Sequence, residues 1–146
     1  MLHYKHILLA TDLSGDTETI AAHAKALAEH NKAKLSIVHV VEHTPIIYGG
    51  GEFSIPLDVN LEETLKENAR RALAHLGKKI GIPDKDQYVE TGSIKMAVIE
   101  LAKKLNTDLI VVGTHSRHGL ERILGSTANA ILHAAKCDVL TVRARK

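Results

Sequence analysis

A chain of 146 residues can bury one good core and is too short for two, so a single domain over residues 1–146 is expected. Hydrophobic residues make up 45% and charged residues 25%, ordinary values for a globular protein, and a formal net charge of +2 is far from the footprint of a nucleic-acid binder. No apolar run approaches a membrane span, no signal peptide precedes the first strand, and the lone Cys137 cannot form an internal disulfide. These features predict a soluble, cytoplasmic protein with neither a nucleic acid nor a membrane as partner.

Residues 4–12 read as an apolar strand through Ile7, Leu8, Leu9 and Ala10 that finishes in Thr11-Asp12, with Leu13-Ser14-Gly15-Asp16 as the turn. Ala21, Ala22, Ala24, Leu27 and Ala28 then recur at helical spacing as far as Asn31. Leu35, Ile37, Val38, Val40 and Val41 mark a second buried strand over residues 34–41, completing a strand-helix-strand unit. Between residues 42 and 59, Pro45, Gly49-Gly50-Gly51 and Pro56 deny both helix and ladder, while Ile46, Ile47, Tyr48 and Phe53 add apolar patches. A loop of that length in a small domain is expected to be a lid, a binding segment or locally mobile.

Asn60-Leu61-Glu62-Glu63 has the acidic first turn of a helix whose apolar face is Leu61, Leu65, Ala69, Leu73, Leu76 and Ile80, stopped by Gly81-Ile82-Pro83. Residues 87–90 form a short third strand and Thr91-Gly92-Ser93 its turn. Ser93 is placed to cap a helix in which Ala97, Val98, Leu101, Ala102 and Leu105 face the core. Residues 108–113, an unbroken run of Leu, Ile and Val closed by Gly113, read as a strand buried on both faces. A polar, basic loop follows and closes on Gly125-Ser126-Thr127, where the Ser126 or Thr127 hydroxyl is expected to cap the helix around Ala128 to His133. Residues 137–143 supply the last strand.

Strands and helices alternating in this way predict an α/β fold: an open five-stranded parallel sheet with helices on both faces, Rossmann-like. In such sheets ligands bind beyond the carboxyl ends of the strands, where strand order reverses. Two strands end in site-like residues, Asp12 and Gly113, and if those strands are neighbours a single crevice contains both. Free amides at the start of the helix after Gly125, the hydroxyls of Ser126 and Thr127, and a nearby Arg117 together form a resting place for phosphate. Asp12 is a candidate acceptor for a ribose or base.

Other chemistries find little support. Gly-Lys-Ser/Thr is absent, so this is not a Walker A loop, and no G-x-G-x-x-G follows a strand. His115 and His118 have no third ligand nearby and read as polar loop residues, so no metal is expected. Cys137 reads as a small buried side chain at a strand start. With neither a paired-carboxylate site nor a Ser/His/Asp triad visible, no catalytic residue is assigned.

The ordered combination of residues 4–14, Val38-His39-Val40, residues 108–115, Gly125-Ser126-Thr127 and Cys137-Asp138-Val139-Leu140 resembles the universal stress protein family over essentially the whole chain. Leu57-Asp58-Val59-Asn60-Leu61 leans toward its A branch. The resemblance implies an adenine nucleotide alpha hydrolase-like sheet and a homodimer formed through the C-terminal strand. It also implies ATP or AMP bound as a regulatory ligand in the stress response, with Mg only as a companion of ATP. Carried over, the adenosine end would meet Ala10, Thr11 and Asp12 and the backbone of Val40 and Val41. The phosphates would lie along Gly113, Thr114, His115, Ser116, Arg117, Gly125, Ser126 and Thr127. The family's nucleotide pattern is Gly, two residues, Gly, nine residues, Gly, then Ser or Thr; here Ser116 stands for the second Gly, and only residues 117–124 separate it from Gly125. A-branch members often lack the pattern and bind no ATP. The resemblance therefore carries an alternative, an interaction module acting through its dimer and loop surfaces. Slow ATP hydrolysis or autophosphorylation is a weaker third.

Overall fold

The structure, a computed structural model, describes residues 3–42, 59–114 and 125–143, with the side chains of residues 59 and 60 excepted. The long loop expected to be a lid, a binding segment or locally mobile, at 43–58, and the loop residues His115, Ser116, Arg117 and His118 lie outside the described residues. The elements run β1 His6–Ala10, α1 Thr17–Asn31, β2 Lys34–Glu42, α2 Val59–Ile80, β3 Gln87–Gly92, α3 Ile94–Lys104, β4 Leu109–Gly113, α4 Ser126–Ala134 and β5 Asp138–Val142, with a 3-10 turn at Asp84–Asp86 before β3. The five strands form one parallel sheet in the order β3-β2-β1-β4-β5.

Apolar side chains are buried on both faces of this sheet. Successive strand residues point to opposite faces. Ile7 and Leu9 of β1, Ile37 of β2 and Val111 of β4 pack on one side with Ile20, Ala21, Ala24 and Ala28 of α1 and Leu73 and Leu76 of α2. Leu8, Val38, Val40, Ile110 and Val112 point the other way, against Val98, Leu101 and Ala102 of α3 and Ala128 and Ile131 of α4. Strands covered on both faces must be apolar throughout, which is what the runs in β1 and β4 show. Among the described residues no helix is long and apolar enough to cross a membrane.

Several sequence expectations shift locally. Helix α1 begins at Thr17, so Ile20 joins its buried face, while Ala22 is exposed. Strand β3 runs on through Thr91 and Gly92, because both remain paired with Val41 and Glu42 of β2. Ser93 caps α3 as expected, its side chain accepting from the Met96 N–H. On α2 the predicted apolar face divides: Ala69, Leu73 and Leu76 are buried, but Leu61 and Leu65 are each 44% exposed, so the first turns of the helix project past the core.

At the amino ends of the strands a polar network ties the layers together. The Asp108 carboxylate accepts from the backbone N–H groups of Lys5 at 2.8 Å and His6 at 3.0 Å. The His6 ring donates from Nδ1 to the Leu105 carbonyl at 3.1 Å and accepts at Nε2 from the fully buried Ser36 hydroxyl at 2.8 Å. Burial holds His6 below the ordinary imidazole value of 6.5, opposed in part by the bond to Leu105. The unfolded chain therefore takes up this proton first as pH falls. The contribution of neutral His6 is complete above 6.5 and is lost as pH drops from there toward the folded value. Urea midpoints measured from about pH 8 to about pH 5 should fall on acidification more steeply for the wild type than for His6→Gln. Parallel profiles would show that His6 carries none of the dependence.

Candidate functional site

The sheet order places a reversal at β1. The chain moves outward through β2 and β3, then crosses to the other side of β1 to add β4 and β5. Connections leaving β1 and β4 run to helices on opposite faces, so a crevice opens between their carboxyl ends. A cavity of about 560 Å³ lies there, within the size range of small-molecule sites. It is lined by Ala10 at the end of β1 and Thr11 and Asp12 after it, by Val40 and Val41 of β2, and by Gly113, Gly125, Ser126 and Thr127. The two strand ends singled out from sequence are thus neighbours on one crevice. Thr114, expected at the site, is not among the lining residues; its N–H donates to the Val142 carbonyl at 3.0 Å.

On the β1 side the wall is held by short bonds. The Thr11 N–H donates to the Val38 carbonyl at 3.0 Å, and the Thr11 carbonyl accepts from His39 Nδ1 at 2.9 Å, so the peptide beyond β1 stays fastened to β2. Thr11 Oγ1 accepts from the Leu13 N–H at 3.0 Å and meets the Thr17 hydroxyl at 3.1 Å, linking the turn to the start of α1. Asp12 Oδ1 accepts from the Ser14 N–H at 2.8 Å, an Asx turn. Leu13 adopts the left-handed region, φ 59°, a conformation uncommon outside Gly, Asn and Asp. Asp12 therefore presents its carboxylate from a fixed loop rather than from a helix terminus.

The opposite wall is the amino end of α4. Here the structure corrects the expected capping: Gly125 is the N-cap, and no side chain makes the cap bond. Ser126 and Thr127 instead occupy the first helical turn. Helical geometry leaves the first amides without intrahelical acceptors, and among the described residues no side chain caps them. The Gly125 N–H donates to the Thr114 carbonyl at 3.1 Å, so the chain returns beside the point where it left β4. A shallower hollow of about 440 Å³ continues past Ser126 and Thr127 toward Ser93, Lys95 and Glu42.

Sequence reasoning overlooked several lining residues. Ile20, His39, Glu42, Leu65, Ile94 and Val98 all contribute to the main cavity. Leu65 does so because α2 projects past the core. Among the described residues no Lys or Arg lines this cavity, and no group of His, Cys, Asp and Glu could hold a metal ion. Cys137 is half-buried rather than buried, and desolvation, with Asp138 adding to it, raises its thiol above the ordinary range, away from nucleophilic character.

A doubly wound parallel α/β fold with its crevice at the strand-order reversal defines the class. The Universal stress protein family model matches residues 3–143, and the chain belongs to that family. It is 55% identical over 141 residues to Universal stress protein A homolog 1 of Coxiella burnetii, covering 97% of both chains. Among solved structures it resembles the universal stress protein UspA from Lactobacillus plantarum, TM-score 0.79 at 23% identity, over 98% of this chain and 100% of that one. It also resembles a universal stress protein in complex with cAMP, TM-score 0.69 at 23% identity, over 99% and 100% of the two chains.

Gly113 sits where β4 meets α1, and a Cβ there would collide with Cδ1 of Ile20. Gly113→Ala should destabilise the protein by about 1–3 kcal/mol, and adding Ile20→Val, which removes that carbon, should recover part of the loss. Chemical denaturation of the two single variants and the double variant checks this; strictly additive losses would contradict the contact.

Proposed function

We propose that the chain binds an adenine nucleotide, ATP or AMP, as a regulatory ligand in the crevice between β1 and β4. The observation that carries this reading is the pairing of opposite chemistries across one cavity. The amides at the start of α4, uncapped by any side chain among the described residues, and the Ser126 and Thr127 hydroxyls suit phosphate oxygens. The Asp12 carboxylate, a lining residue of the same cavity, suits a ribose or base donor and disfavours phosphate. The likeness to a family member that holds cAMP agrees with a purine nucleotide as the ligand class. Mg enters this reading only as a companion of ATP.

The same reading makes the protein a cytoplasmic, single-domain stress-response regulator that works as a homodimer. Strand β5 closes one edge of the sheet, with Val139 and Leu140 only half-buried, and such an edge offers unpaired backbone groups to a second copy. No residue is assigned a catalytic role.

Isothermal titration of ATP and AMP, with mass spectrometry of small molecules released on heating, tests the ligand directly. Saturable binding is expected, weakened about tenfold to a hundredfold by Asp12→Ala, which removes a charged acceptor. No heat of binding together with no released nucleotide would overturn the reading and leave the interaction module in its place.

A further inference from the structure

His39 is a polar side chain of β2 that lines the cavity. It lies between Val38 and Val40, whose side chains point to the α3 and α4 layer, so alternation turns the imidazole toward α1 and α2. There it joins Thr11, Asp12 and Leu65 on the cavity wall. Its Nδ1 lies 2.9 Å from the Thr11 carbonyl oxygen. A carbonyl only accepts, so Nδ1 carries the hydrogen, and in the neutral ring Nε2 is left with a lone pair. Among the described residues nothing bonds to Nε2.

We propose that His39 is a specificity-determining residue of the crevice, with Nε2 accepting a hydrogen bond from the nucleoside part of the ligand. The inference rests on the adenine-nucleotide reading and assigns a role to one side chain within it. A lone pair fixed at this position repels phosphate oxygens, which are acceptors. The phosphates are thereby directed to the amides of α4. A ribose hydroxyl or the exocyclic amine of the base can donate to Nε2, and three analogues separate these partners: the 2′-deoxy and 3′-deoxy nucleotides and the purine ribonucleotide that lacks the amine. The Thr11 contact also makes the tautomer a property of the fold rather than of the ligand.

Two measurements on the full chain test this. Asparagine keeps an amide N–H near the position of Nδ1 and has no counterpart of Nε2. His39→Asn should therefore melt close to the wild type yet bind AMP about tenfold more weakly. One of the three analogues should lose about as much against the wild type and nothing further against His39→Asn. In the unaltered protein, two-bond 1H–15N correlation of the imidazole should show Nδ1 protonated and Nε2 bare, with the Nε2 resonance moving on addition of AMP. Binding of AMP to the wild type with equal affinity for His39→Asn overturns this role and leaves the nucleotide reading standing. A resting tautomer protonated at Nε2 does the same. Absence of AMP binding to the wild type overturns both.

Discussion

The structure depends on the capture of the peptide after β1 by β2. Thr11 gives its N–H to the Val38 carbonyl and its carbonyl to the His39 ring, so the chain cannot turn away from the sheet until Asp12. On the other side of β1, β4 ends at Gly113, where an added Cβ would require the tip of the Ile20 side chain of α1 to shift. Between these two strand ends the sheet has no strand left to fill the space, and the crevice follows. Helix packing on opposite faces keeps it open, since α1 and α2 are committed to one layer and α3 and α4 to the other. The site is therefore a consequence of strand order, with its polar groups supplied by turns at the rim.

This origin explains how the two walls differ. The β1 wall is a closed set of short hydrogen bonds that presents Asp12 from a fixed turn. The α4 wall is a helix start capped by Gly125 without a side-chain partner, so its polarity comes from the backbone. One side offers acceptors and the other donors, a division that matches a ligand with a donor-rich head and an acceptor-rich tail. The floor is apolar, Ala10, Val38, Val98 and Val112, which suits the flat face of a base.

Features that depend on local chemistry were legible in the sequence. Apolar runs such as Leu109 to Val112 announce strands buried on both faces, Ser93 announces a helix start, and the helical pattern that stops at Asn31 marks the end of α1. Family resemblance joined these pieces into one fold, and the match over residues 3–143 bears that out. Features that depend on distant partners were not legible. Leu61 and Leu65 keep helical spacing with the buried residues of α2 yet stand exposed, because periodicity says which side a residue faces and not how far the opposing layer extends. Ser126 and Thr127 look like caps by residue type, but the cap falls one residue earlier, where the chain bonds back to Thr114. His39 reads as an ordinary strand residue until its partner, 28 positions away in sequence, is seen.

The account as a whole stands on where the ligand sits. A crystal structure of the protein grown with AMP tests that placement most directly. The account predicts density in the crevice with the nucleoside against Asp12 and β2 and the phosphate at the first turn of α4. An empty crevice at saturating AMP, or the phosphate seated against Asp12 and His39, would contradict it.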